Sequence, residues 1–277
     1  MSDTESLSAI QRRILLEAFH AAVTRCQVGV SLGRALPPVP DDGRLVLVAA
    51  GKAGAQMAGV AEAHYAADRG WGRVGGIVVI PHGIDIETRR LEVLHAAHPL
   101  PDASSEAAAR GVLDAVSDLQ PEDRVVVLLS GGASSLLCAP ADRVSLDDKR
   151  DTTAVLFEAG ATIDEINTVR KGISAIKGGG LARAAFPDAV TTLAISDVVG
   201  DDPGTIASGP TVPSPGIRRN ARAVVAKYAL QVPDAVRQCL EAEEPDDSDR
   251  LPDLDYRLVA KPLDALQAAA ECVASYG

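Results

Sequence analysis

Aromatic residues make up only 3% of this 277-residue chain, against 47% hydrophobic residues overall. Its apolar content therefore rests on small and branched side chains, which suit helices packed closely on a sheet. Positive charge is also scarce: 27 Lys and Arg against 38 Asp and Glu give a formal net charge of −11. A nucleic-acid surface needs clustered cations to neutralise phosphates, so this balance argues against such a partner. A small anionic ligand stays compatible with it, provided a few basic residues converge. Cys26, Cys138, Cys239 and Cys272 lie far apart, with no CxxC or Cys/His ligand spacing, which fits buried thiols in a reducing compartment. No apolar run approaches the length of a bilayer span, and MSDTESLSAIQRRILLEAFHAA lacks the pattern of a signal peptide. The expectation is a soluble, cytoplasmic protein with no membrane partner. Neither GxxxxGK[ST] nor GxGxxG occurs, so the standard P-loop and dinucleotide readings lack support.

What is present is an alternation of two hydrophobic periods. Ile10, Ile14, Leu15, Ala18, Ala22 and Cys26 recur at helical spacing over residues 6–26. After the turn-rich PPVPDDGR, the run RLVLVAA (44–50) is nearly continuous, as in a strand buried on both faces. Strand-like runs return at 75–81, 90–99, 124–130 and 190–196, and helical patterns cover 102–119, 146–158 and 162–175. Asp102 is placed to cap the first of these. Strands alternating with helices predict a three-layer α/β fold, with a mainly parallel sheet and helices on both faces. Such sheets bind ligands beyond the C-terminal ends of their strands. The acidic stretch 241–253 has no apolar period and reads as a solvated linker. The domain reading is thus 1–240, a linker over 241–253, and the start of a second α/β domain over 254–277.

The strand ends carry the residues suited to chemistry. The run 45–50 leads into Gly51-Lys52-Ala53-Gly54; the run 125–129 leads into Ser130-Gly131-Gly132-Ala133-Ser134-Ser135; the run 191–195 leads into Ser196-Asp197. Glycines there let backbone N–H groups approach an anion. A tight strand-to-helix turn accounts equally well for SGGASS. Lys52 reads either as a solvated lysine or as a phosphate or carboxylate contact. NTVRKGISAIKGGGLA (167–182) brings Arg170, Lys171 and Lys177 together, and the seven-residue spacing of Arg170 and Lys177 puts them on one face of a continuous helix. That segment reads as a solvated basic face with a glycine cap or as an anion site. Asp197, Asp201 and Asp202 follow the last strand in DVVGDDPGT. Asp202 reads as a turn or helix cap. Asp197 reads as a metal ligand or a proton acceptor. His98, in HPLPD, reads as a core hydrogen-bonding residue.

Taken together, AAGKAGAQMA, AAHPLPD, LLSGGASSLL, INTVRKGISAIKGGGLA and ISDVVGDDPGTIASGPT resemble the motifs of the glycerate 2-kinase family, in that family's order. The resemblance implies a Rossmann-like N-terminal domain, a C-terminal MOFRL domain and a site in the cleft between them. It implies transfer of a phosphoryl group from ATP to the 2-hydroxyl of D-glycerate, with a divalent metal, Mg²⁺. By motif, Lys52 corresponds to the catalytic lysine, and Gly51 and the loop containing Ser130, Gly131, Gly132, Ser134 and Ser135 to ligand-binding residues. Arg170, Lys171 and Lys177 correspond to a basic binding motif, Asp197 to an acidic catalytic and metal position, and Asp201 to a second metal position. A homodimer is among the assemblies this leaves open. Family members continue into the MOFRL domain, so residues 1–277 alone are expected to lack glycerate phosphorylation. Two other readings compete: a hydroxypyruvate reductase, a label relatives have carried, and a non-catalytic small-anion binding domain.

Overall fold

The computed structural model describes residues 7–186, 189–244 and 251–276. The helices are α1 (Leu7–Arg25), α2 (Val28–Ala35), α3 (Gly54–Tyr65), α4 (Ala103–Ala115), α5 (Ala133–Leu136), α6 (Leu146–Glu158), α7 (Ile163–Gly172), α8 (Gly180–Ala184), α9 (Ile217–Lys227), α10 (Asp234–Glu241) and α11 (Pro262–Ala274). The strands are β1 (Leu45–Ala50), β2 (Val74–Pro81), β3 (Leu91–Ala96), β4 (Arg124–Leu129), β5 (Ala189–Ile195) and β6 (Leu254–Ala260). They form one six-stranded sheet in the order β3-β2-β1-β4-β5-β6, and every pair is parallel.

The continuous apolar runs are explained by burial on both faces. Along β1, Val46, Val48 and Ala50 enter one core with α4, α5 and α8, while Leu45, Leu47 and Ala49 enter another with α2 and α3. Strand β4 splits in the same way, Val125, Val127 and Leu129 against Val126 and Leu128. A third cluster, including Leu156, Ile166, Val169 and Leu240, packs α6, α7, α9 and α10 together away from the sheet. Strand order reverses its direction of growth between β1 and β4. In doubly wound sheets that switch point opens a crevice beyond the strands' C-terminal ends.

Three sequence expectations change here. The sequence pattern predicts the start of a second domain at residue 254, yet β6 pairs with β5 from Val190↔Leu254 to Ile195↔Ala260 and so extends the first sheet. Helix α11 packs against α1, which joins the two ends of the chain. The apolar pattern does stop at the acidic stretch, but strand pairing is non-local and no period in the linker announces it. The linker's residues 245–250 lie outside the described residues. Helix α1 forms where expected, but of its residues only Ala18 is buried, and Leu15 is exposed. The basic helix ends earlier than the pattern suggests: α7 stops at Gly172 with Ile173 as its C-cap, so Lys177 lies beyond it and shares no helix face with Arg170. Asp102 caps α4 as expected, accepting from the backbone N–H groups of Ser104 and Ser105.

Candidate functional site

The C-terminal strand ends around the switch point bring residues from several strands together. The backbone N–H of Lys52 donates to the Gly131 carbonyl at 2.8 Å, and that of Ala53 to Ser130 Oγ at 3.0 Å, so the turns after β1 and β4 are fastened together. Gly51 adopts φ 121°, and a Cβ there would collide with Ser130. Only glycine meets both the backbone and the space requirement. Gly132 adopts φ 87°; a Cβ there would lie 2.9 Å from His98 Nε2 and 3.4 Å from Lys52 Cγ. A Cβ on Gly131 would collide with the carboxylate of Asp197. Lys52, His98, the Gly131-Gly132 backbone and Asp197 are therefore neighbours, although they come from four separate stretches of chain. Among the described residues, the amides of Gly131 and Gly132 have no hydrogen-bond acceptor.

Further along the same loop, Ser134 collects the basic motif. Its Oγ accepts from Lys177 Nζ at 3.1 Å and from Arg170 Nη2 at 3.3 Å, and lies 2.8 Å from Ser208 Oγ. Both nitrogens can only donate, so the Ser134 hydroxyl proton is directed to Ser208. Ser208 sits at φ 63° beside Ala207 at φ 54°, two consecutive left-handed residues other than glycine. Such a backbone costs on the order of 1–2 kcal/mol per residue and persists where the surroundings impose it. Arg170 and Lys177 thus converge on one serine without sharing a helix.

Their surroundings differ from what a basic face facing ligand requires. Lys177 is 1% exposed, and its ammonium also donates to the carbonyls of Ser134 at 2.5 Å and Leu137 at 2.9 Å. These are orphan carbonyls at the C-terminal end of α5, so Lys177 acts as a buried cap on the serine loop. Burial, with Arg170 nearby, holds this ammonium well below the usual lysine range. Lys149, which the sequence reading did not single out, does the same for α7, donating to the carbonyls of Arg170 at 3.3 Å and Ile173 at 2.8 Å. Burial pulls it down to about 8. Arg170 is also lowered by burial, and Lys171, half-buried, is lowered by burial against the opposing pull of Asp202 and Asp164. Lys52 is exposed.

The acids divide as well. Asp202 makes the expected turn, accepting from Thr205 Oγ1 at 2.6 Å and the Gly204 amide at 3.3 Å. The Thr205 bond chiefly keeps its carboxyl below the usual range. Asp201 has φ 54°, and its buried Oδ1 has no hydrogen-bond partner. No three potential metal-ligating side chains come together among the described residues. His98 makes no hydrogen bond with its ring among them either, so a core hydrogen-bonding role does not describe it; it stands at the strand ends. Its motif neighbours, Pro99 and Pro101, mark a turn, and the turn was the available signal.

An all-parallel sheet with this strand order and helices on both faces defines a Rossmann-like α/β domain. The family model described as "Domain of unknown function (DUF4147)" matches residues 14–241, and the chain belongs to that family, the N-terminal domain of glycerate kinases. A protein of Agrobacterium vitis named "Putative hydroxypyruvate reductase" is 45% identical over 96% of this chain and 60% of its own length. The D-glycerate 2-kinase of Thermotoga maritima is 37% identical over 88% of this chain and 57% of its own length. The crystal structure of a Thermotoga maritima glycerate kinase superposes with a TM-score of 0.81 at 32% identity, covering 96% of this chain and 61% of that one. The chain spans about 60% of the length of the curated relatives it matches. Among the described residues no helix is long and apolar enough to cross a membrane.

Proposed function

We propose that this chain supplies the Rossmann-like half of an ATP-dependent glycerate 2-kinase acting on D-glycerate. The observation that carries the reading is the meeting of Lys52, the Gly131-Gly132 amides and Asp197 at the ends of β1, β4 and β5. Phosphoryl transfer asks a protein chiefly for positioning and charge neutralisation. In this reading the glycerate 2-hydroxyl oxygen forms a bond to the γ-phosphorus while the bond from that phosphorus to the ADP oxygen breaks. Asp197 accepts the hydroxyl proton. Lys52 and the two amides meet the negative charge on the transferred group. Ser134, held by Arg170 and Lys177, fixes the loop that presents those amides.

The described residues build no all-protein metal cage. A Mg²⁺ ion needs only one or two carboxylates beside phosphate oxygens, and Asp197 can offer one, with Asp201 as the second candidate. Bound there, the metal would supply further neutralisation of phosphate charge.

In this reading a transferring phosphoryl group needs cations on more than one side, and the relatives' additional length is the source we propose for the second wall, a C-terminal domain facing the crevice. The test is a coupled ADP-release assay with D-glycerate, ATP and Mg²⁺. We expect no measurable turnover from residues 1–277 and robust turnover once a relative's C-terminal portion is joined to them. Turnover by the short chain would place the whole site in this domain; inactivity of both would remove the kinase reading. The name of the Agrobacterium vitis relative favours a second reading, reduction of hydroxypyruvate. The missing GxGxxG stands against it, and oxidation of NADH or NADPH with hydroxypyruvate would establish it.

A further inference from the structure

Beside the serine loop lies a cavity of about 480 Å³ for which the phosphoryl-transfer reading has so far found no use. One wall is the turn before α4, Leu100 and Pro101; the other is the face of α6 that carries Leu146, Ala154 and Phe157. Arg150 donates through Nη2 to the Pro101 carbonyl at 2.7 Å and ties the two walls together. Leu100 and Phe157 remain 80% and 63% exposed, so an apolar rim stands open to solvent. The inner end reaches Ser135, Lys149 and Arg170. Among the described residues no carboxylate pairs with Lys149, Arg170 or Lys177. Arg170 uses its guanidinium on Asn167 Oδ1 and Ser134 Oγ alone.

Apolar walls leading to unbalanced positive charge suit a ligand with a flat, weakly polar body and an anionic tail. Glycerate does not meet that description, since each of its carbons bears oxygen and it is too small to cover both walls. A nucleotide does. The cavity's size falls in the range that encloses a ligand of that class. Other cavities fit less well. One at the N-terminal ends of the strands is lined by Asp41, Asp42, Glu122 and Asp123, the wrong charge for phosphates. Another, between α9 and α10, touches none of the strand-end residues.

We propose that this cavity seats the purine base of ATP, with the phosphate chain passing Arg170 toward the Gly131-Gly132 amides and Lys52. The assignment rests on the kinase reading and adds to it the place of the base. The experiment is calorimetric titration of the chain with ATP and, separately, with inorganic tripolyphosphate, which has the charge but no base. Ala154→Trp, at an exposed position of α6, fills the cavity, and Phe157→Ala removes one wall; melting temperatures confirm that both variants fold. The unsubstituted chain should bind ATP at least about tenfold more tightly than tripolyphosphate, and Ala154→Trp should erase that preference while leaving tripolyphosphate affinity within about twofold. Phe157→Ala should reduce the preference part of the way. If tripolyphosphate binds and ATP gains nothing, or if the preference survives Ala154→Trp, the cavity is not the base site although the phosphate site stands. If neither ligand binds, the cavity assignment and the proposed phosphate path past Arg170 both fall, while the kinase reading is judged by the turnover assay on the joined chain.

Discussion

Lys52 and Lys177 both abut the loop Ser130–Ser135, and they differ in what surrounds their ammonium groups. Lys52 is exposed, and its backbone, not its ammonium, makes the contact with Gly131. Lys177 is buried and spends its donors on Ser134 and Leu137. An ammonium left to water can exchange that water for an anion at modest cost. One already bonded inside the protein cannot leave without stranding its acceptors. Position beside a glycine loop is therefore not enough to call a lysine a ligand group. Of these two lysines, Lys52 has its ammonium open to solvent, whereas Lys177 shapes the loop.

The comparison makes predictions of decreasing size. Asp197→Asn, measured in this chain joined to a relative's C-terminal portion, should abolish turnover while moving the melting temperature little, since the residue is exposed and the change keeps its shape. Full activity at saturating Mg²⁺ would refute its role. Lys52→Ala in the same enzyme should lower kcat/KM by about a hundredfold or more, the scale of one lost preorganised electrostatic contact. Its unfolding free energy should stay within about 0.5 kcal/mol, as for other surface substitutions.

Lys177→Met should reverse that pattern of causes. Removing the donor leaves the Ser134 and Leu137 carbonyls unsatisfied, at about 1–3 kcal/mol each, and relief from burying a charge offsets part of this. Chemical denaturation should show a net loss of about 2 kcal/mol. If Lys177→Met unfolds like the parent chain and loses only activity, the division between ligand cation and structural cation breaks.

The smallest effect is on pH dependence. Burial lowers the Lys149 ammonium to about 8 from an unfolded value of 10.5. Between those values the unfolded chain binds more protons than the folded one, so this group makes stability rise with pH. Below pH 8 both states are protonated, and the cost of burying the charge is fully present. Lys177, lowered in the same direction, adds to the slope. Urea unfolding from pH 8 to 10 should show this rise, and Lys149→Met should flatten part of it. An unchanged slope would show that Lys149 titrates normally in the folded state.

Much of the fold was legible because burial on both sheet faces writes itself as continuous apolar runs. RLVLVAA and RVVVLLS read as β1 and β4 within a residue of their observed ends. The segment after the acidic stretch was less legible, because β6 finds its partner in β5 some sixty residues earlier. The site shows the same split. Asp202 could be recognised as a turn former from its neighbours alone, since its partners Gly204 and Thr205 are local. Lys149 could not be singled out, since its acceptors, Arg170 and Ile173, belong to another helix. His98 announced only its proline turn, while its place over Gly132 depends on the order of the sheet, in which β2 and β1 lie between β3 and β4.

The sequence by itself determined the layered α/β class, the strand ends and the residue types gathered there, because hydrophobic period and turn chemistry are local properties of a chain. Only the tertiary structure decided which cations remain free and which are bonded inside, and whether the last strand extends the sheet. Those outcomes turn on desolvation and on hydrogen-bond partners distant in sequence, which exist only after the elements have packed.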